Sequence, residues 1–213
     1  INYGFIERYN QCWVPDNLED NGIAGLLSHP QKMPKIPTHY VGVLSRFQQA
    51  EQMLIKYNVC VLLSGPEPQR TILENMLLRQ IQSSNLKILF VRGLPNAHNE
   101  IHSTAIEIKN HLTQNQLQQA ICSSNIIIAR SGYTTVMELL ALKKKAILIP
   151  TPGQTEQEYL AKHLQNQNKC LAFKQYEFDF NKAIKKAKNY EFNLASTQLF
   201  NEQNIIDLVN ELL

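Results

Sequence analysis

Residues 125–150, NIIIARSGYTTVMELLALKKKAILIP, decide the fold. The stretch begins with an apolar run of strand length, 125–129. A Ser131-Gly132 turn follows. The helical segment 133–143 then carries the apolar Val136, Met137, Leu139 and Leu140, and a second apolar run, 146–149, closes at Pro150. A strand, a tight turn, a helix and a strand in that order form a crossover unit, and such units join parallel strands right-handedly. The runs are continuous rather than alternating, so both faces of the strands are covered. Polar residues gather where the first strand ends, and the carboxyl ends of parallel strands are where open sheets bind ligands.

The alternation continues on both sides. Residues 59–63, 87–91, 105–108 and 170–173 read as strands. Residues 67–82, 114–122, 155–167, 181–188 and 204–213 read as helices, with Pro68 tolerated in the first turn of its helix. Strands alternating with such helices predict an α/β protein built on a doubly wound parallel sheet. Upstream, a short strand at 12–14 precedes the Pro- and Gly-containing stretch 17–39, read as a linker or irregular excursion, and a strand at 40–44 leads into Ser45-Arg46. The expected division is 1–44 as the tail of a preceding domain with its linker, 45–199 as the ligand-binding domain, and 200–213 as a helix packing back toward the preceding domain.

The chain has 213 residues, 44% apolar and 18% charged, which suits a globular protein and excludes a disordered one. A net charge of +3 without interleaved aromatics gives no case for a nucleic-acid partner. No apolar run approaches the roughly 20 residues of a membrane helix. The chain opens on Ile1 without a visible signal peptide and reads as a fragment of a longer protein. Cys12, Cys60, Cys122 and Cys170 are widely spaced and read as free thiols. The six histidines show no ligand spacing, so no metal is expected. No organic cofactor motif appears, and neither do a nucleophile elbow, a Cys/His pair or closely paired carboxylates.

Arg130-Ser131-Gly132 is the first candidate site. Gly132 allows a sharp turn and close backbone approach. The amides of 132–135 then emerge from a helix N-terminus, which favours an anion such as a diphosphate, and Ser131, Thr134 and Thr135 can add hydroxyls. Helix capping by Ser131 or Thr134 explains the same residues. Glu138 shares a helix face with Thr134 and Thr135 and has no ion-pair partner at i±4. A carboxylate in an apolar helix needs donors, and a ribose with vicinal hydroxyls supplies two. In TPGQTEQEY (151–159), Gln157 and Glu158 can read sugar hydroxyls, although Glu158 can also pair with Lys162. Ser64-Gly65 opens another helix and can contact phosphate, with Arg70 in reach, or be a plain turn.

The segment ARSGYTTVMELLALKKKAILIPTPGQTEQEYLAKHL resembles the donor-binding C-terminal domain of glycosyltransferases of the GT-B fold, and within them the MurG-like family 28. The shared pattern is a strand, R-S-G-x-x-T-x-x-E, a strand ending in Pro, and a polar loop. It is clear over 125–164 and weaker over 40–173. The resemblance implies a Rossmann-like domain in which Glu138 holds the ribose of a UDP-sugar. Ser131, Gly132, Thr134 and Thr135 would line the diphosphate and sugar, Gln157 and Glu158 the sugar hydroxyls, and the backbone near Leu112–Thr113 the uracil. Arg46 falls where the family has a diphosphate-proximal arginine. Two departures stand out: Ser64-Gly65-Pro66 replaces a G-G-S turn, and Gln157-Glu158 replaces Gln-Gln.

The resemblance further implies a metal-independent hexosyl or N-acetylhexosaminyl transfer whose catalytic base lies in an absent N-terminal domain. This chain alone would bind the donor without transferring it. It also implies a cytoplasmic protein of cell-envelope synthesis, working at the inner face of the membrane with peripheral contact through the absent half. A UDP-sugar hydrolase or epimerase of the same fold, and a non-catalytic binding subunit completed by a partner chain, remain as alternatives.

Overall fold

The computed structural model describes residues 3–19, 22–47, 53–97, 106–195 and 197–210. A short helix, α1 (Tyr3–Ile6), precedes two parallel strands, β1 (Cys12–Val14) and β2 (Thr38–Tyr40). Then follow β3 (Tyr57–Leu62), α2 (Gln69–Ile81), β4 (Ile88–Val91), β5 (Ile106–Lys109), α3 (Gln114–Cys122) and β6 (Ser124–Ala129). The chain continues through α4 (Tyr133–Ala141), β7 (Lys145–Leu148), α5 (Thr155–Asn166), β8 (Leu171–Ala172), α6 (Phe180–Lys188) and α7 (Glu202–Asn210).

The main sheet has the order β5-β4-β3-β6-β7-β8, with every neighbouring pair parallel. The chain winds outward from β3 to β5, then returns to the other side of β3 and winds outward again. The switch point lies between β3 and β6, so the crevice for a ligand opens above their carboxyl ends. The Rossmann-like doubly wound sheet expected from the sequence is therefore the observed fold.

Both strand faces are buried, with a period of two. In β6, Ile126 and Ile128 enter the layer packed by α2 and α6, with Leu73, Leu77, Phe180 and Ile184. Ile127 and Ala129 enter the opposite layer with Met137, Leu140, Leu160 and Leu164 of α4 and α5. Local chemistry ends the helices. Thr113 and Gln116 form a capping box at the start of α3. At the end of α4, the Lys143 amide donates to Leu140 O (3.0 Å) and the Lys144 amide to Leu139 O (2.9 Å), with Lys143 at φ 50. This is a Schellman turn built without glycine.

The stretch 17–39 is not a free linker. Asp16, fully buried, accepts from the amides of Asn17 and Ile23 (both 2.8 Å), from the amide of Ala24 (2.9 Å) and from Ser28 Oγ (2.6 Å). Gly22, at φ +60, has no room for a Cβ against that carboxylate. The loop so folded docks on the helical layer: Tyr133 Oη of α4 donates to Pro15 O (2.7 Å), and Tyr159 Oη of α5 accepts from the Leu26 amide (2.8 Å). Ile23 and Val43 join the core beside α4 and α5.

The strand expected at 40–44 instead ends at Tyr40, because Gly42 turns the chain at φ +82 against the backbone of Leu199 and Phe200. Val43 then bridges to Leu199. Helix α2 begins after Pro68, which caps it rather than entering its first turn. The expected strand residue Ala105 and helix residues 211–213 lie outside the described residues.

Candidate functional site

The crevice is framed by three strand-to-helix corners, after β3, β6 and β7. Each carries a glycine, Gly65, Gly132 or Gly153, and a Cβ on any of them would meet nothing within 4 Å. The corners face open space.

After β6, Gly132 is the N-cap of α4, and no side chain among the described residues caps the helix. The Val136 amide closes the first turn onto Gly132 O (3.0 Å). The amides of Tyr133, Thr134 and Thr135 are left pointing out, with Thr134 exposed and Thr135 half-buried beside them. An uncapped N-terminus of this kind carries partial positive charge and free donors. One turn further on, Glu138 is 4% exposed, among the buried Met137, Leu139 and Leu140. Its Oε1 accepts from Arg46 Nε at 2.6 Å. The two residues are 92 positions apart, which is why a search for i±4 partners misses the pair. Arg46 lies along the Phe47 ring, 5.3 Å from its centroid, and its carbonyl accepts from Gln114 Nε2 at 3.2 Å. The hydrogen bond that Arg46 donates to Glu138 raises the Arg46 pKa.

Arg130 and Ser131 are structural in this geometry. Arg130 is 1% exposed and donates to Ile149 O and Pro150 O (both 3.1 Å) and to Gln69 O (2.9 Å). It braces the ends of β6 and β7 against the start of α2. With no carboxylate beside it among the described residues, burial lowers its pKa to about 10. Ser131 is fully buried and donates to Gln157 O at 2.9 Å, so its hydroxyl is not offered to the crevice.

At the β7 corner, Gln157 Oε1 accepts from the Thr151 amide (3.0 Å) and its Nε2 donates to Gln154 Oε1. Glu158 Oε1 accepts from the Gly153 amide (3.1 Å) rather than pairing with Lys162. Both side chains shape the loop that borders the crevice, and Glu158 remains exposed. Thr113 is exposed at the start of α3, but its amide is taken by Gln116 Oε1 (3.0 Å), and the adjacent Leu112 packs half-buried against the core.

The β3 corner differs. Ser64 and Gly65 are exposed, Gly65 at φ +100. Glu67 Oε2 accepts from the Thr71 amide (3.1 Å), and Glu67 Oε1 accepts from Arg70 Nε (2.6 Å). Arg70 also donates to Glu74, whose Oε1 accepts from Arg92 Nε at 2.6 Å. Arg70 is thus held inside a carboxylate-guanidinium network and does not reach out for a phosphate.

All four cysteines are free, and burial pushes Cys60 and Cys170 up to about 12. Residues that a sequence reading passes over are Asp16 and Tyr133. The phenol of Tyr133 is raised by burial and by the nearby Asp16.

Comparisons with known proteins agree with this architecture. Among solved structures, spinosyn forosaminyltransferase SpnP superposes with a TM-score of 0.54 at 9% identity, over 85% of this chain and 44% of that one. The glycosyltransferase VinC in complex with dTDP superposes with a TM-score of 0.51 at 11% identity, over 84% and 49%. Two curated proteins, from Histophilus somni (strain 129Pt) and Natranaerobius thermophilus, share 30% identity over 95 and 107 residues. Both are UDP-N-acetylglucosamine--N-acetylmuramyl-(pentapeptide) pyrophosphoryl-undecaprenol N-acetylglucosamine transferases. The aligned parts are 44% and 45% of this chain but only 27% and 29% of those proteins. The model of the glycosyltransferase family 28 C-terminal domain matches residues 69–206, most of the doubly wound sheet and the two corners after β6 and β7, so the chain belongs to glycosyltransferase family 28.

Proposed function

We propose that this chain is the donor-holding part of a metal-independent glycosyltransferase that moves a hexose or N-acetylhexosamine from a UDP-sugar to an acceptor. One observation carries the reading: α4 presents an uncapped N-terminus and, one turn on, a buried carboxylate. The open amides of 133–135 suit a diphosphate, and Glu138 suits a vicinal diol such as that of ribose. Gly132, without a side chain, leaves the approach clear. When the glycosidic bond breaks, negative charge grows on the leaving diphosphate. A helix N-terminus and the neighbouring Arg46 stabilise that charge without a divalent ion. Gln157 and Glu158, on the loop after β7, border the space for the sugar. The names of the two curated relatives, and the dTDP bound to VinC, support a nucleoside diphosphate sugar as donor.

The acceptor groove and the catalytic base belong, in this reading, to a further half of the protein. The β1–β2 pair supports it. Parallel strands are ordinarily covered on both faces and rarely occur as an isolated pair. Here Trp13 of β1 and the nearby Phe5 and Tyr9 are exposed. Additional strands and helices covering them would complete a second layered domain. Any peripheral membrane contact falls to that half too.

Calorimetric titration with UDP, UDP-glucose, UDP-N-acetylglucosamine and GDP tests the assignment. UDP should bind, and Glu138→Ala should weaken it about tenfold or more, the loss of a charge-assisted hydrogen bond. A chain that binds no nucleotide refutes the site.

A further inference from the structure

We infer that Tyr133 is a positioning residue: its phenol, braced on Pro15 O, fixes the first turn of α4 in place of a helix cap and so sets how tightly the diphosphate is held. The inference rests on the reading that the open amides of 133–135 receive that diphosphate. A helix start is ordinarily fixed by a cap, whose side-chain oxygen takes one of the first free amides. Such a cap occupies a donor that an anion needs. Gly132 offers no side chain, and none among the described residues takes its place. The first turn keeps its donors but lacks a local restraint, and helix ends without one fray.

Tyr133 supplies the restraint from the side. It is the first residue of α4, and its ring packs half-buried against the core. Its Oη donates to Pro15 O at 2.7 Å, across 118 positions of chain. Burial and the nearby Asp16 raise the phenol's pKa, so the donor keeps its proton. The acceptor is itself held in place. Proline fixes φ at residue 15. Next to it, the Asp16 amide donates to Val14 O (2.8 Å), and Asp16 O accepts from the Gly42 amide (3.1 Å). The Asp16 carboxylate also gathers the amides of Asn17, Ile23 and Ala24. A stiff aromatic ring thus joins the open amides to a fixed carbonyl. A diphosphate on those amides holds the first turn and with it the phenol on Pro15 O. The docked loop holds the same ring from the other end. Coupling of this kind is reciprocal, so each event strengthens the other by one common factor. Tyr159 makes the loop's second tie, from α5 to the Leu26 amide at 2.8 Å, and lies outside the first turn of α4.

Tyr133→Phe keeps the ring and removes only the hydroxyl. UDP should bind it about fivefold more weakly than the wild-type chain. Tyr159→Phe frees the same loop from α5 instead and should leave UDP affinity within about twofold. Amide hydrogen exchange reads the reciprocal effect. In the wild-type chain, saturating UDP should slow exchange of the Ile23 and Ala24 amides, which Asp16 holds, by about fivefold. In Tyr133→Phe that slowing should vanish. A tyrosine that only packs the core would not carry the ligand's presence to these amides. Equal UDP affinity in wild type and Tyr133→Phe overturns the brace, and so does an equal loss in Tyr159→Phe. Wild-type exchange that ignores UDP overturns it as well, and that measurement needs no variant. If UDP weakens in Glu138→Ala but not in Tyr133→Phe, the donor site stands and the brace falls. If UDP binds no form of the chain, both fall.

Discussion

The corners after β3 and β6 are neighbours in the sheet and start alike, with Ser64-Gly65 and Ser131-Gly132. Their helices end up in opposite electrostatic states. Three positions after the serine stands Glu67 in one corner and Thr134 in the other. Glu67 takes the Thr71 amide and Arg70, so the start of α2 is neutralised from within. The cap of α4 is Gly132, which has no side chain to take an amide, so the start of α4 keeps its donors for a ligand. A Ser-Gly turn opening a helix is thus only a permission for anion binding. The residue that fills the first turn decides whether the permission is used.

Four substitutions break or sharpen this contrast. The largest effect is expected from Arg130→Met. Arg130 joins the two corners through Gln69 O on one side and Ile149 O and Pro150 O on the other. Its loss leaves buried carbonyls without donors and should lower stability by about 3 kcal/mol in urea unfolding. A loss below about 1 kcal/mol would mean that the corners hold their places without the brace. Next comes a pair, Gly132→Val and Gly65→Val. The first adds a side chain at an ordinary φ of −68, into open space, so stability should move by only about 0.5 kcal/mol while UDP affinity drops more than about tenfold. The second forces a β-branched residue to φ +100, so stability should fall by about 2 kcal/mol with UDP affinity changed less than about threefold. Equal effects of the two on UDP binding would erase the distinction between the corners. The smallest effect belongs to Glu67→Gln. With the α2 corner uninvolved, UDP affinity should stay within about twofold. A tenfold tightening would instead mark that corner as a phosphate site held shut by its own glutamate.

Much of the fold is legible in the sequence because its signals are local. The apolar runs of β3, β4, β6 and β7 and the periodicity of α2, α4 and α5 each fit inside one element, and parallel strands buried on both faces carry the strongest such runs. The expected boundaries differ mainly where long-range contact intervenes, as at Gly42 and Leu199. The site is legible only halfway. Position and periodicity place Glu138 and Gly132 at the crevice. They do not reveal that Arg46 already occupies Glu138, that Ser131 turns inward to Gln157 O, or that Arg130 ties carbonyls together. Each of these depends on contacts between residues 19 to 92 positions apart. The internal neutralisation of α2 is the exception. Glu67, Arg70 and Glu74 follow at i, i+3 and i+7, a local spacing that an inspection for phosphate ligands reads past.

The Asp16 knot bears on where this protein divides into separable parts. Chain order suggests a cut near residue 44, between a leading tail and the sheet. Asp16, Gly22 and Ser28 fold the tail's loop onto itself, and Tyr133 and Tyr159 hold that loop to the outer layer of helices. A chain started at residue 45 would expose the core face now covered by Ile23 and Val43 and leave two phenols of that layer without their backbone partners. Protease-resistant fragments should accordingly retain the segment from Pro15 to Ser28. The doubly wound domain owns a piece of chain that comes before it, and α4, which opens on the crevice, is steadied at its first residue by that borrowed piece.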